Sequence, residues 1–205
     1  MKKQIIFPLQ LLEFEYPSLL SWKEMDIFLT SHYRMANMAI GQTHSHLHRE
    51  PYLHSLVSWF RECIEKARKE FNYNCEALEI TTCWANVAWM GSAGAHHLHD
   101  HPWSTLSGVF YASAEGSPTV FHHPWYSARL NRCEPSRHFD PYAIHKVPFS
   151  PGKLILFQSG LMHETMPWEG EENRWSISFN TLPTGNFNHY EHGLESTSAH
   201  ISISN

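Results

Sequence analysis

The sequence predicts a mainly β protein, a double-sheet jelly roll with two N-terminal helices packed on the sheet. Eight short candidate strands lie between residues 78 and 182, separated by turns that contain Gly, Pro and Asn. Short strands at this spacing are typical of a sandwich or barrel, whereas strands that alternate with helices would indicate a parallel sheet. Two stretches with helical apolar periodicity precede the strands. We therefore expect an antiparallel core with the helices against it.

The 205 residues predict one domain with three parts. Residues 1–75 hold an N-terminal strand and the helices, residues 78–182 hold the jelly-roll core, and residues 183–205 form a polar, peripheral tail. The candidate strands of the core are Leu78–Met90, His97–His101, Thr105–Ser113, Thr119–His123, Tyr142–Pro148, Lys153–Phe157, His163–Pro167 and Arg174–Leu182.

The N-terminal part starts with a predicted strand over Gln4–Phe14. A capping box that begins at Ser21 predicts a first helix, which we expect to end near Met38. Pro51 suits the first turn of a second helix, whose apolar stripe ends by Asn72. The polar stretch between the two helices is predicted to be a loop.

Composition excludes several classes of function. The net charge is −5 with no basic cluster, so we expect no nucleic-acid partner. No run of about 18 apolar residues occurs, so we expect no membrane partner. The basic start is followed by an apolar run that Pro8 and Glu13 interrupt, which makes a poor signal peptide. The four cysteines form no CxxC pair, which favours reduced thiols and a cytoplasmic protein.

Histidine is unusually frequent, with 17 in the chain. His97, His99 and His101 alternate with other residues, and an extended strand would point all three imidazoles to one face and Asp100 to the other. His163 lies near the start of a later predicted strand. Two imidazoles from one strand and a third from a neighbour favour a mononuclear metal site. The pair His97–His99 is an alternative to His99–His101.

An arginine and a serine follow this last histidine on the final predicted strand. Arg174 and Ser176 share one face, where an arginine can form a bidentate pair with a carboxylate. The alternative is an ion pair with the acidic loop just before the strand, which contains Glu169, Glu171 and Glu172. The histidines and the arginine together favour a non-haem iron oxygenase with a carboxylate-bearing co-substrate.

Several motifs resemble the 2-oxoglutarate and iron(II)-dependent oxygenase superfamily, over about residues 78–182. They are HDHP from His99, then LSGVFY, PGKLILFQSGLMHETMP and RWSISFN. The pattern is most similar to an uncharacterised branch with H-x-H-P, S-G-V-Y-Y and R-x-S-I-S-F-N segments. The resemblance implies a double-stranded β-helix.

The same resemblance implies roles for individual residues. His99, His101 and His163 would hold iron(II), which favours the pair His99–His101 over its alternative. The distal carboxylate of 2-oxoglutarate would bind Arg174 and Ser176. Tyr111 is similar in place to residues that touch the co-substrate in relatives. His101 stands where the superfamily usually has a carboxylate, which leaves the metal centre one unit more positive.

Other histidines and aromatic residues are candidates for less specific roles. His44, His46 and His48 also alternate, but we interpret this cluster as a solvated loop because it lies in a polar stretch that starts at Gly41 and precedes a helix. Candidates for a substrate cleft are His122, His123, Trp84, Trp103 and Trp125.

Three functions are compatible with these residues. The first is a 2-oxoglutarate-dependent hydroxylase, the second a cupin-like dioxygenase with three histidines and no 2-oxoglutarate, and the third a non-catalytic binding protein. Arg174 and Ser176 favour the first over the second, which needs no carboxylate clamp. The substrate would be a small molecule or a peptidyl residue, and a homodimer is possible.

Overall fold

The computed structural model describes residues 9–18, 20–35, 40–124, 144–187 and 199–202. The helices are α1 (Trp22–Ser31) and α2 (His54–Glu70), with short 3-10 turns at Leu47–Arg49 and Pro51–Leu53. The strands are β1 (Leu11–Glu15), β2 (Tyr33–Met35), β3 (Ile40–Thr43), β4 (Ala77–Ala88), β5 (Leu106–Tyr111), β6 (Thr119–His122), β7 (Ile144–Val147), β8 (Lys153–Gln158), β9 (His163–Thr165), β10 (Arg174–Phe187) and β11 (Ala199–Ile201). No helix in these ranges is long and apolar enough to cross a membrane.

The described strands form two antiparallel sheets. The larger sheet has eight strands in the order β1-β8-β5-β10-β4-β3-β2, with β11 paired to β10. The smaller sheet has three strands in the order β7-β6-β9. A large and a small antiparallel sheet confirm the predicted jelly roll.

Each face of the large sheet has its own core. Along β10, Trp175, Ile177 and Phe179 are buried in the cluster that also holds the apolar side of α2. Phe60 of α2 packs on the Phe179 ring with centroids 5.0 Å apart. The opposite face carries Val109 and other members of a second cluster, which includes residues of both sheets. Because side chains alternate along a strand, Arg174 and its alternate neighbours lie on this second face.

The first helix begins as predicted but ends earlier. The Ser21 hydroxyl accepts a hydrogen bond from the Glu24 N–H at 3.4 Å, as the capping box requires. The helix ends at Ser31 rather than near Met38, because the chain turns into β2 and pairs with β3. A side chain at Gly41 in β3 would collide with the Tyr33 ring of β2. The stretch predicted as a loop therefore includes β3, and the pairing of β3 with β2 requires a glycine at position 41.

The second helix is confirmed with a small change at its start. Pro51 begins a 3-10 turn, and the α-helix follows from His54. The predicted apolar stripe is buried against the large sheet. The chain leaves the helix through Asn72, whose φ of 54° lies in the left-handed region that asparagine tolerates.

Three strand predictions need correction. The stretch His97–His101 forms no strand, and only an isolated bridge joins His99 to His163. The last core strand does not end at Leu182 but continues to Phe187 and pairs with Ala199–Ile201 from the predicted peripheral tail. Pairing with a distant segment therefore extends β10 beyond the apolar pattern that predicted it. The N-terminal strand lies at Leu11–Glu15, and the earlier part of its predicted range is outside the described residues.

Candidate functional site

Backbone hydrogen bonds bring three histidines together between the two sheets. The His99 N–H donates to the His163 carbonyl at 3.0 Å, and the His163 N–H donates back at 2.9 Å. The His101 N–H donates to the Ser159 carbonyl at 3.0 Å, which holds its loop against the turn before β9. One ligand nitrogen from each of His99, His101 and His163 lies within 4.8 Å of the others.

Two of these rings are oriented through one nitrogen. His99 Nδ1 lies 2.6 Å from the His97 carbonyl oxygen, and His163 Nδ1 lies 2.9 Å from the Leu161 carbonyl oxygen. A carbonyl only accepts, so each Nδ1 carries the proton and each Nε2 keeps a free lone pair. Metal-binding histidines are commonly oriented in this way.

Burial keeps two of the three rings neutral. It lowers the pKa of His101 and of His163 to about 4, from an ordinary value of 6.5. The neighbouring imidazoles contribute a smaller part of each decrease. Neutral imidazole is the form that binds a metal, so the group is ready to coordinate at neutral pH.

Aromatic rings enclose the histidine group on the sheet side. The Phe157 ring lies 4.8 Å from the His163 ring, measured between centroids. The Trp84 ring lies 5.8 Å from the His101 ring, so this candidate cleft residue does border the site. Trp103 is 93% exposed and lines no buried cleft. Trp125 is outside the described residues.

His97, the alternative ligand, and the neighbouring Asp100 lie outside the histidine group. The side chains of His97 and Asp100 are exposed, and neither belongs to the histidine group. His97 contributes its carbonyl oxygen, which orients the His99 ring. The alternation of 97, 99 and 101 did not produce three parallel imidazoles, because this segment is not a regular strand.

Arg174 lies at the start of β10, only 3% exposed. Its Nη1 donates to the Ser117 hydroxyl, and its Nη2 lies 3.5 Å from the Thr165 hydroxyl oxygen. Its Nε is buried with no hydrogen-bond partner. Among the described residues no carboxylate forms an ion pair with it, so the expected alternative, a pair with the acidic loop, is not observed.

Burial lowers the proton affinity of the Arg174 guanidinium. Desolvation lowers the Arg174 pKa to about 10, while the nearby Tyr111 raises it slightly. At neutral pH the group remains charged. The result is a buried cation whose partners are hydroxyl groups and whose Nε lacks an acceptor. Such a group favours an anion from outside the chain.

A row of polar residues crosses the inner face of the large sheet next to Arg174. Ser176 is paired in register with Tyr111 on one side and with Asn86 on the other. The Tyr111 hydroxyl lies 2.8 Å from the Thr119 hydroxyl, which fixes its position. The Gln42 side chain continues the row and donates to the Asn86 amide oxygen at 3.2 Å. Tyr111 and Ser176 therefore lie where the sequence placed them, beside the arginine.

Sequence reasoning missed four residues of this region: Asn86, His96, Ser117 and Thr165. His96 exchanges hydrogen bonds with Thr165, through its N–H at 2.8 Å and its carbonyl at 3.1 Å. Burial lowers the His96 pKa to about 4, and Arg174 lowers it further. Thr165 could have been found, because it lies two residues after His163 on the same face of β9. Ser117 is in a loop that carries no such signal.

The histidines of the predicted polar loop do not form a group of their own. His44 instead lies with His32 and Glu50, and ligand atoms of these three residues are within 4.8 Å of one another. His46 forms an isolated bridge with Cys83, and the His48 ring is half-buried. His122 pairs with Glu164 at 2.9 Å on the outer side of the small sheet, away from the cleft.

The residues around the histidine group fit a metal and an organic anion. Three imidazole nitrogens converge, two with a lone pair set by a backbone contact, and a buried guanidinium nitrogen lacks an acceptor. Nitrogen-only sets of this size leave coordination positions open for a co-substrate.

Comparison with known proteins agrees with this chemistry. Residues 82–180 match the family described as "Putative 2OG-Fe(II) oxygenase". The curated proteins contain no match.

Solved structures share the fold at low sequence identity. A Pseudomonas putida prolyl-4-hydroxylase is 12% identical with a TM-score of 0.56, over 86% of this chain and 94% of that chain. HygX from Streptomyces hygroscopicus, with nickel and 2-oxoglutarate bound, is 13% identical with a TM-score of 0.59, over 86% and 84%. The carbocyclase SnoK from nogalamycin biosynthesis is 12% identical with a TM-score of 0.60, over 86% and 81%.

These likenesses show a common fold, and the family match covers the segment that carries the three histidines and Arg174. Together they confirm the resemblance seen in the sequence motifs. The chain is similar to the 2-oxoglutarate and iron(II)-dependent oxygenases, through the family match over residues 82–180 and through its fold.

Proposed function

We propose that this chain is a 2-oxoglutarate-dependent oxygenase that hydroxylates its substrate, with iron(II) held by His99, His101 and His163. One observation carries the proposal beyond the family match. A buried Arg174 with an unpaired Nε lies on the same inner face as a group of neutral, converging imidazoles. A keto-acid with a second carboxylate matches both features.

The arginine argues against the cupin-like alternative. Burying a guanidinium without a carboxylate is unfavourable, so a chain with no need for an anion there gains nothing from it. Arg174 can donate to a carboxylate through two nitrogens, and Ser176 and Tyr111 lie beside it for further hydrogen bonds. A dioxygenase without 2-oxoglutarate has no use for this arrangement.

Backbone carbonyls of the chain orient the histidine rings, and aromatic side chains shield these rings from water. The contacts of His99 and His163 with backbone carbonyls hold their rings in one tautomer, so no proton has to leave Nε2 when a metal binds. Phe157 and Trp84 keep water from the sheet side of the group. When bound, iron(II) with 2-oxoglutarate supplies the activation of molecular oxygen.

The third imidazole changes the charge of the centre. A neutral His101 in place of a carboxylate leaves the iron(II) site with its full double positive charge. That charge favours the dianionic co-substrate, and Arg174 adds a further positive charge. We therefore expect tight binding of 2-oxoglutarate in compensation for weaker retention of the metal.

The substrate we propose is a small molecule or a peptidyl residue with polar groups. The side-chain amides of Asn86 and Gln42, which are hydrogen-bonded to each other beside Ser176, support a polar substrate. Similar structures include one of each kind, SnoK, a carbocyclase from nogalamycin biosynthesis, and a prolyl hydroxylase in complex with a peptide fragment, which supports both substrate sizes. We also propose a cytoplasmic location, which the free Cys63, Cys75 and Cys83 support.

The test is anaerobic titration of the iron(II) protein with 2-oxoglutarate, followed by its metal-to-ligand charge-transfer absorption. A saturable band at one equivalent is expected. A protein that binds iron at the three histidines without such a band would support the cupin-like dioxygenase instead.

A further inference from the structure

A second group of ligand side chains lies outside the proposed active site and shares none of its residues. His32 follows α1, His44 follows β3, and Glu50 precedes the 3-10 turn that leads into α2. His32 Nε2 lies 3.6 Å from Glu50 Oε2, and His44 Nε2 lies 3.4 Å from Glu50 Oε1. One ligand atom from each residue lies within 4.8 Å of the others.

These separations suit a metal better than direct hydrogen bonds. A good N–H···O bond has its heavy atoms about 2.7–3.2 Å apart. Zinc binds histidine nitrogen and carboxylate oxygen at about 2.0–2.2 Å, so the edge of its tetrahedron is about 3.3–3.6 Å. The two distances run to different oxygens of Glu50, and each is close to the separation of two ligands on one ion; two imidazoles with one carboxylate are a known zinc set.

The two rings are held differently. His32 Nδ1 lies 2.9 Å from the Phe28 carbonyl oxygen, so it carries the proton and Nε2 offers a lone pair towards Glu50. His44 Nδ1 accepts from the His46 N–H at 3.1 Å, so without metal its proton stays on Nε2. A metal has to displace that proton, and the contact with His46 then opens.

Aromatic rings border the group of His32, His44 and Glu50 on one side, and the other side is open to solvent. The Phe28 ring lies 4.4 Å from the His32 ring and 4.5 Å from the Tyr52 ring. The side chains of His32, His44 and Glu50 remain 25%, 22% and 29% exposed, so an ion can enter from solvent. Water is available as a fourth ligand.

We propose that His32, His44 and Glu50 form a zinc(II) site that is separate from the three-histidine group. Its ligands come from three different segments, so a bound ion joins the end of α1 and the end of β3 to the 3-10 turn that leads into α2.

The test is a zinc(II) titration of the full chain against a chromogenic chelator, with bound zinc counted per chain. Glu50→Gln keeps the shape of the side chain, and both it and His44→Ala should lose one equivalent relative to the unsubstituted chain. His54→Ala, at an exposed histidine of α2, should lose none. His163→Ala should remove only zinc held at the other group.

Thermal unfolding gives an independent readout, because zinc should raise the midpoint of the unsubstituted chain and of His163→Ala more than that of Glu50→Gln. Circular dichroism checks that each variant is folded. Zinc stoichiometry that Glu50→Gln and His44→Ala leave unchanged would overturn the proposal, as would a chain whose only zinc disappears in His163→Ala.

Discussion

Replacing Arg174 with alanine should weaken 2-oxoglutarate binding while iron(II) binding stays nearly unchanged. The side chain is buried, its Nε has no partner, and His99 and His163 are oriented by backbone carbonyls instead of by Arg174. A hydrogen bond to a charged group contributes about 1.5–3 kcal/mol, which corresponds to a loss of roughly 10-fold to 150-fold in affinity. Arg174→Lys should recover part of the loss, since an ammonium cannot form the bidentate pair.

The assay is calorimetric and spectroscopic titration of the anaerobic iron(II) protein with 2-oxoglutarate. Arg68→Ala is the matched control, because that arginine is already paired with Glu65 at 2.7 Å on α2 and faces another part of the molecule. 2-Oxoglutarate should also raise the thermal midpoint of the unsubstituted protein more than that of Arg174→Ala. Equal affinity of Arg174→Ala and the unsubstituted protein would refute the assignment of the clamp.

Three further predictions concern the metal, pH and the fold. His101→Asp should keep iron(II) bound, since it restores two histidines and a carboxylate; metal analysis of the folded variant checks this, and loss of iron would contradict it. The metal-free protein should lose stability as the pH falls from 6.5 towards 4, because burial lowers the pKa of His96, His101 and His163 to about 4 and the unfolded chain then binds more protons. Urea unfolding at pH 7.5 and 5.0 measures the change, and equal stabilities would argue against buried neutral rings. Gly41→Ala should destabilise the protein by about 1–3 kcal/mol, because the new methyl group meets the Tyr33 ring; an unchanged urea midpoint would show that the ring moves aside.

The architecture and most residues of the candidate site could be predicted from the sequence, the former from strand patterns and the latter partly from the family resemblance. The strands near Arg174 and Tyr111 carry strong β patterns, so their faces could be predicted. His99 and His101 were selected by the family resemblance, although the strand that was to align them does not form. A single bridge to His163 brings the group together instead.

The parts that could not be predicted depend on contacts between distant segments. The end of α1 was misplaced because β2 exists only through its pairing with β3, where Gly41 accepts the Tyr33 ring. His32 lies twelve residues before His44, beyond β2, and Glu50 lies six residues after it, so the alternation of His44, His46 and His48 does not indicate this group. Ser117 reaches Arg174 from a loop, and nothing in the neighbouring sequence indicates that contact.

The most direct measurement is a crystal structure of the anaerobic protein with iron(II) and 2-oxoglutarate, with the metal located by anomalous diffraction at the iron edge. Iron should lie between His99, His101 and His163, with the distal carboxylate of 2-oxoglutarate on Arg174. Iron found only at other residues, or a co-substrate whose distal carboxylate lies away from Arg174, would contradict the proposed site.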